Sequence, residues 1–144
     1  MDPFLFERLV IDLLVKMGYG GSREEAARVT KASGDEGIDG IINEDRLGLD
    51  VIYVQAKRWQ DTVGRREIQS FVGALAGKKA QKGIFITTSG FKKSASEYAK
   101  DVHQKVILVD GERLADLMIE HNIAISTSQS YHLKKIDSDY FAQE

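Results

Sequence analysis

Asp39, Gln55 and Lys57 lie within the run GIDGIINEDRLGLDVIYVQAKRW, residues 37–59, in which two stretches rich in β-branched residues flank a polar turn. Side chains two apart on a strand share a face, so Gln55 and Lys57 should point together with Val51 and Tyr53, while Ile52, Val54 and Ala56 point the other way. If residues 43–49 close a hairpin, Asp39 can approach the same place from the neighbouring strand. One carboxylate, one amide oxygen and one ammonium would then meet. A hard cation such as Mg2+ takes oxygen ligands, keeps several waters and commonly combines one or two carboxylates with substrate phosphate. The trio therefore suits metal-assisted phosphodiester hydrolysis, with Lys57 neutralising the charge that grows on the phosphoryl oxygens or assisting the nucleophile. The same letters have a plain reading: a turn aspartate, a satisfied sheet glutamine and a lysine snorkelling at a strand end. Short D…QxK strings are common, and the pattern alone does not choose between the two.

Several elements must position these groups. Asp2 followed by Pro3 is a helix opening, and the helix should run to about Met17, where Gly18, Gly20 and Gly21 stop it. At 100° per residue, Phe6, Leu9, Val10, Leu13, Leu14 and Met17 form one stripe, and Glu7 interrupts its edge. Strands are expected at 27–32, 37–42 and 50–57, forming an antiparallel meander. Helices are expected at 65–79, with Ile68, Phe71, Val72 and Leu75 inward, at about 91–101, and at 111–120. KGIFITTSG and KVILVDG read as buried strands, so strand, helix and strand form a βαβ unit with parallel pairing. The expected fold is α/β: a mixed five-stranded sheet, antiparallel meander plus parallel βαβ, with helices on both faces.

The 144 residues fit one domain, expected over 1–130, followed by a polar C-terminal tail over 131–144. With no cysteine, disulfides, thiolate zinc sites and cysteine nucleophiles are excluded, and a reducing cytoplasm is the expected setting. No apolar run is long enough for a membrane helix, so no membrane partner is expected. Net charge −2 argues against coating nucleic acid by bulk electrostatics. The charge is uneven, however: acidic residues gather over 35–50, and Lys57, Arg58, Arg65, Arg66, Lys92 and Lys93 follow. His103, His121 and His132 have no zinc spacing, and no P-loop or GxGxxG is present.

The runs GDEGIDGII…VIYVQAKRW, EIQSFVGALAGKKAQKGIFITTSGFKKSASEYA and VILVDGERLADLM resemble the catalytic domain of Mrr-type restriction endonucleases, within the PD-(D/E)xK nuclease superfamily, over nearly the whole chain. The resemblance implies a restriction-endonuclease-like core and a Mg2+-dependent endodeoxyribonuclease, with Mn2+ as a substitute. Its substrate would be double-stranded DNA, modified DNA included, cut to 5′-phosphate products. It further implies Asp39 and Gln55 as metal ligands together with the Ala56 backbone carbonyl, Lys57 as the catalytic lysine, and Glu7 as a catalytic carboxylate in an outer or water-mediated role. Gln55 stands where the superfamily usually has Asp or Glu, so metal should bind weakly until DNA phosphate joins, unless Glu7 or Glu36 adds charge. The family also carries an N-terminal winged-helix domain that selects modified DNA. No counterpart is legible here, so a separate recognition domain or subunit is expected, and cutting both strands calls for a homodimer or repeated nicking.

Around this site, Arg58, Arg65 and Arg66 beside Trp59 offer guanidinium forks for DNA phosphate, or else are solvated charge next to a packed indole. Gln69, one turn into its helix, and Lys92 are further DNA-binding candidates. Thr88 and Ser89, in TTSGFKKS between a strand and a helix, offer hydroxyls and backbone amides to an anion, or else cap the helix. Two rival functions remain at this point. One is a nuclease fold without catalysis that serves as a DNA-binding module. The other is a structure-specific or repair nuclease, since the fold does not select the chemistry.

Overall fold

A computed structural model of the chain describes residues 3–22, 25–26, 30–33, 37–123, 125–126 and 135–136. Helix α1 (Pro3–Lys16) leads into strands β1 (Thr30–Ser33), β2 (Gly37–Asn43) and β3 (Val51–Lys57). Helix α2 (Arg65–Gly77), strand β4 (Lys82–Thr87), helix α3 (Lys93–Asp101), strand β5 (Lys105–Val109) and helix α4 (Gly111–Glu120) follow. The chain is α/β, and its four longer strands β2 to β5 form a mixed sheet with the four-residue β1 along one edge, in the order β1-β2-β3-β4-β5. Pairing is antiparallel from β1 to β3 and parallel from β3 to β5.

The helices cover the two faces in pairs. α1 and α4 bury Leu9, Val10, Leu13, Leu114 and Met118 against Ile38, Ile42, Ile52, Val54 and Ile86. α2 and α3 bury Ile68, Phe71, Leu75, Ala95 and Ala99 against Tyr53 and Phe85. Both parallel crossovers, β3-α2-β4 and β4-α3-β5, thus return over the same face. An aromatic line runs through this second cluster: Tyr53 stacks on Phe71 at 5.3 Å, and Phe85 meets Phe71 edge-on at 5.4 Å. Gly83 makes room for it, since a Cβ there would lie 2.7 Å from the Phe71 ring.

The structure places the expected elements in turn. α1 begins at Pro3, and Asp2 lies outside the described residues; its end is marked by Gly18, Gly20 and Gly21, all at positive φ. β1 is described over 30–33, paired with Gly37–Gly40 of β2, and residues 27–29 of the expected strand lie outside the described residues. β5 is not the buried strand its apolar letters suggest. Among the described residues it pairs only with β4, and Lys105 and Ile107 are exposed. Within the expected tail, Lys135–Ile136 pairs with Ile125–Ser126 as a small antiparallel ladder. Among the described residues no helix is long and apolar enough to cross a membrane.

Candidate active site

The register of β2 and β3 brings Asp39 and Gln55 directly opposite each other. Opposed residues in an antiparallel pair have Cβ atoms about 5 Å apart, so the carboxylate and the amide are neighbours on one face. Alternation assigns that face: Ile38 and Ile42 are buried under α1, so Asp39 and Ile41 project to the α2–α3 side. Tyr53 agrees with this placement, its phenol being pushed up from its ordinary value by burial and then by the Asp39 carboxylate. The parallel partner of Gln55 is Phe85, giving a row Asp39–Gln55–Phe85 across three strands. By backbone register Lys31 of β1 is the partner of Asp39 on the far side.

Lys57 occupies the next row on the same face, between Gly37 and Thr87. It is 8% exposed, and its ammonium lies 5.7 Å from the centroid of the Trp59 indole. Thr87 beside it is fully buried. The Ala56 backbone is flanked by Ile38 and Ile86 on the two neighbouring strands; a carbonyl has two lone pairs, so one remains for a cation even when the other accepts a ladder hydrogen bond.

Beyond Lys57 the chain leaves the sheet and lines a cleft of about 630 Å3, built from Arg58, Trp59, Gln60, Asp61, Thr62, Glu67 and Thr88. It opens at the carboxyl ends of the parallel strands β3 and β4, the end at which open α/β sheets receive ligands. Glu67 Oε1 accepts from the Gly64 amide at 3.3 Å and so secures the first turn of α2 at the cleft wall.

The other expected site residues are spread between the cleft, the outer side of α2 and the opposite face of the sheet. Glu7 is half-buried on α1, the helix on the opposite face of the sheet, and is not among the groups the register brings together. Burial pushes its carboxyl up from the usual range. Glu36 lies outside the described residues. Arg58 lines the cleft. Arg65 places its guanidinium 5.2 Å from the Tyr98 ring, while Arg66, Gln69 and Lys92 are exposed. Gln69 is on the solvent side of α2, away from the buried stripe of Ile68, Phe71, Val72 and Leu75.

Thr88 lines the cleft, and Thr88 and Ser89 are both hydrogen-bonded into the fold around it. The Thr88 amide donates to the Lys57 carbonyl at 3.3 Å and the Ser89 amide to Thr87 Oγ1 at 3.2 Å, so neither is held open for an anion. Their hydroxyls donate to the backbone carbonyls of Trp59 and Asp61, at 2.9 and 2.7 Å. The residue at the N-terminal cap of α3 is Lys92, with no side-chain cap. Sequence reasoning missed this lacing, and also Thr87 at the side of Lys57. The polar run TTS was visible; its partner segment, 29 positions earlier for Thr88 and Trp59, is set by the parallel pairing of β3 and β4.

Hard-oxygen donors of this kind fit Mg2+: a carboxylate, an amide oxygen and a backbone carbonyl, leaving positions for water and phosphate. Among the described residues no group of three or more His, Asp or Glu side chains converges.

Comparison with known proteins decides the family. Residues 1–118 match the family model of the Mrr catalytic domain, described as a restriction endonuclease. The chain belongs to the Mrr-type restriction endonuclease family. It is 53% identical over 141 residues to the Type IV methyl-directed restriction enzyme EcoKMrr of Escherichia coli (strain K12), covering 98% of this chain and 45% of that protein. The chain thus spans less than half the length of this curated relative. Among solved structures, the DNA modification-dependent restriction endonuclease AspBHI matches with a TM-score of 0.61 at 18% identity, over 85% of this chain and 32% of its own. The MspJI restriction endonuclease, solved with a 27-mer oligonucleotide, matches with a TM-score of 0.51 at 23% identity, over 81% of this chain and 26% of its own. At these identities the two structures establish likeness of fold.

Proposed function

We propose that this Mrr-type domain is a metal-dependent endodeoxyribonuclease that hydrolyses phosphodiester bonds of double-stranded DNA. The observation that carries the reading is the register that sets Asp39 opposite Gln55 with Lys57 on the same face. Asp39, Gln55 and the Ala56 carbonyl would hold Mg2+, or Mn2+ in its place. Bound there, the ion would supply positive charge against the phosphodiester and make water a better nucleophile. Lys57, nearly buried, donates hydrogen bonds to a non-bridging oxygen of the scissile phosphate and offsets the charge that grows there; low exposure strengthens that interaction. The β2–β3 ladder sets the spacing of Asp39, Gln55 and the Ala56 carbonyl, so these groups need no large reorganisation. The cleft beside Lys57 receives the flanking strand, with Arg58 offering a guanidinium fork to a phosphate. Attack on phosphorus with loss of the 3′ oxygen would leave a 5′-phosphate and a 3′-hydroxyl.

EcoKMrr is methyl-directed, and we extend that preference to this chain as the substrate class: modified duplex DNA, with the modification read by a separate recognition domain or subunit. One catalytic centre serves one strand, so a homodimer or two successive nicks would complete a double-strand cut.

Plasmid nicking with Mg2+ or Mn2+ tests the reading. Asp39→Ala and Lys57→Ala should each slow cleavage by about 100-fold or more, the scale of losing one group that stabilises transition-state charge. Equal nicking by wild type and both variants overturns it. A second reading, a catalytically silent fold that binds DNA, is favoured by the sparse carboxylate count around Asp39 among the described residues. Salt-sensitive DNA binding with no cleavage by wild type under any metal would select it.

A further inference from the structure

Lys57 ends β3, and a lysine carries its charge on a flexible four-carbon stem, so the strand alone does not determine where the ammonium sits. What stands over it is Trp59, the single tryptophan of the chain, with the ammonium 5.7 Å from the ring centroid, within cation–π range. Trp59 itself lies past the end of the strand, beyond the reach of the sheet ladder. Its position is set from the other side of the cleft. Thr88 Oγ1 donates to the Trp59 carbonyl at 2.9 Å, and the Thr88 amide donates to the Lys57 carbonyl at 3.3 Å. Ser89 Oγ donates to the Asp61 carbonyl at 2.7 Å. The Val63 amide donates to the Gly90 carbonyl at 2.7 Å, and the Lys92 amide to the Val63 carbonyl at 2.9 Å.

The segment after β4 is braced in turn. The Gly111 amide donates to the Ser89 carbonyl at 2.8 Å, and a Cβ at Gly111 would collide with the Thr88 carbonyl, so the start of α4 seats directly behind it. The indole also packs, half-buried, against the aromatic cluster under α2 and α3. The ring is therefore fixed by backbone and core on one side and presents a π face to the ammonium on the other.

We propose that Trp59 is a positioning residue for Lys57, and that the Thr88 hydroxyl acts one step further back by holding the Trp59 carbonyl. This rests on the reading of Lys57 as the catalytic lysine. It assigns the indole to the protein's own ammonium rather than to a DNA base, and the Thr88 hydroxyl to the backbone rather than to phosphate.

The test uses the intact protein with Trp59→Leu, Trp59→Phe, Thr88→Val and Thr88→Ser. Turnover is measured at saturating DNA, and DNA affinity is measured separately with Ca2+ in place of Mg2+. Misplacing a reacting group by about 1 Å costs up to about 100-fold, so Trp59→Leu should lower kcat roughly tenfold and Thr88→Val roughly threefold. Affinity should stay within about twofold. Trp59→Phe, which keeps a π face, and Thr88→Ser, which keeps the hydroxyl, should recover most of the loss. Because Trp59 is the sole tryptophan, its indole N–H resonance and emission report this contact without any cleavage, and both should move in Lys57→Met and in Thr88→Val. Weakened DNA affinity with kcat unchanged, or an indole signal indifferent to Lys57→Met, overturns the proposal while leaving the nuclease reading intact. Absence of cleavage by wild type removes the nuclease reading and this role with it, a result distinguishable because the indole would still sense Lys57. Should Trp59→Leu fail to fold, the Thr88 pair and Lys57→Met still decide the matter.

Discussion

Val54 and Gln55 are adjacent in the chain and face opposite sides of one sheet. Val54 is 0% exposed among the aliphatic side chains of α1 and α4, while Gln55 stands half-buried in a row with Asp39. The first face is aliphatic throughout its buried cluster, apart from the ring of Phe6. The second mixes aromatic packing, at Tyr53, Phe71 and Phe85, with a carboxylate, an amide and an ammonium toward the cleft end of β3. The same three strands thus carry a face that stabilises and a face that holds polar groups. The lesson is about cover: on the second face the polar groups gather toward the cleft end of β3, with Asp39 and Gln55 half-buried and the Lys57 ammonium against the Trp59 indole.

Placing a charge on the wrong face should break the comparison most sharply. Val54→Asp puts a carboxylate where no solvent or donor waits, and denaturant unfolding should register a loss above about 4 kcal/mol, enough to prevent folding. The polar face has its own structural core, and Phe71→Ala should cost about 3–5 kcal/mol by the same measurement, since the ring joins Tyr53 to Phe85. Both effects are on stability. Gln55→Glu separates stability from chemistry: unfolding should shift by less than about 1 kcal/mol, while the Mg2+ concentration giving half-maximal nicking falls, a second carboxylate having joined Asp39. An unchanged metal requirement would count against Gln55 as a ligand.

The smallest effect belongs to Glu7, the carboxyl at the margin of the aliphatic face. Its pKa is raised by burial, so folding favours its protonated form. That contribution is full below the ordinary carboxylate range and is lost as pH rises through the raised value. Glu7→Gln should therefore raise the unfolding midpoint at neutral pH, and the difference from wild type should vanish below about pH 4. A gap that persists in acid would point to packing rather than ionisation. If Glu7 also served the catalytic centre, the same variant would slow nicking at neutral pH.

Local chemistry in the sequence determined a good deal. The 3.6-residue stripe of α1, the glycines after it and the period-two alternation of β3 are short-range features, and they led to the α/β class and to Gln55 and Lys57 sharing a face. The family-bearing motifs were legible in the same way. Tertiary pairing decided the rest. That Asp39 meets Gln55 and not its neighbours depends on a register set by a whole strand of contacts across the hairpin. That β5 is an edge depends on which strand lies next to it, something its own apolar letters cannot encode. The same holds for Thr88 and Ser89, whose short polar side chains bond whatever backbone the fold delivers to them. Parallel pairing of β3 and β4 delivered the segment after Lys57, and so tied the Thr88 and Ser89 hydroxyls to the carbonyls of Trp59 and Asp61.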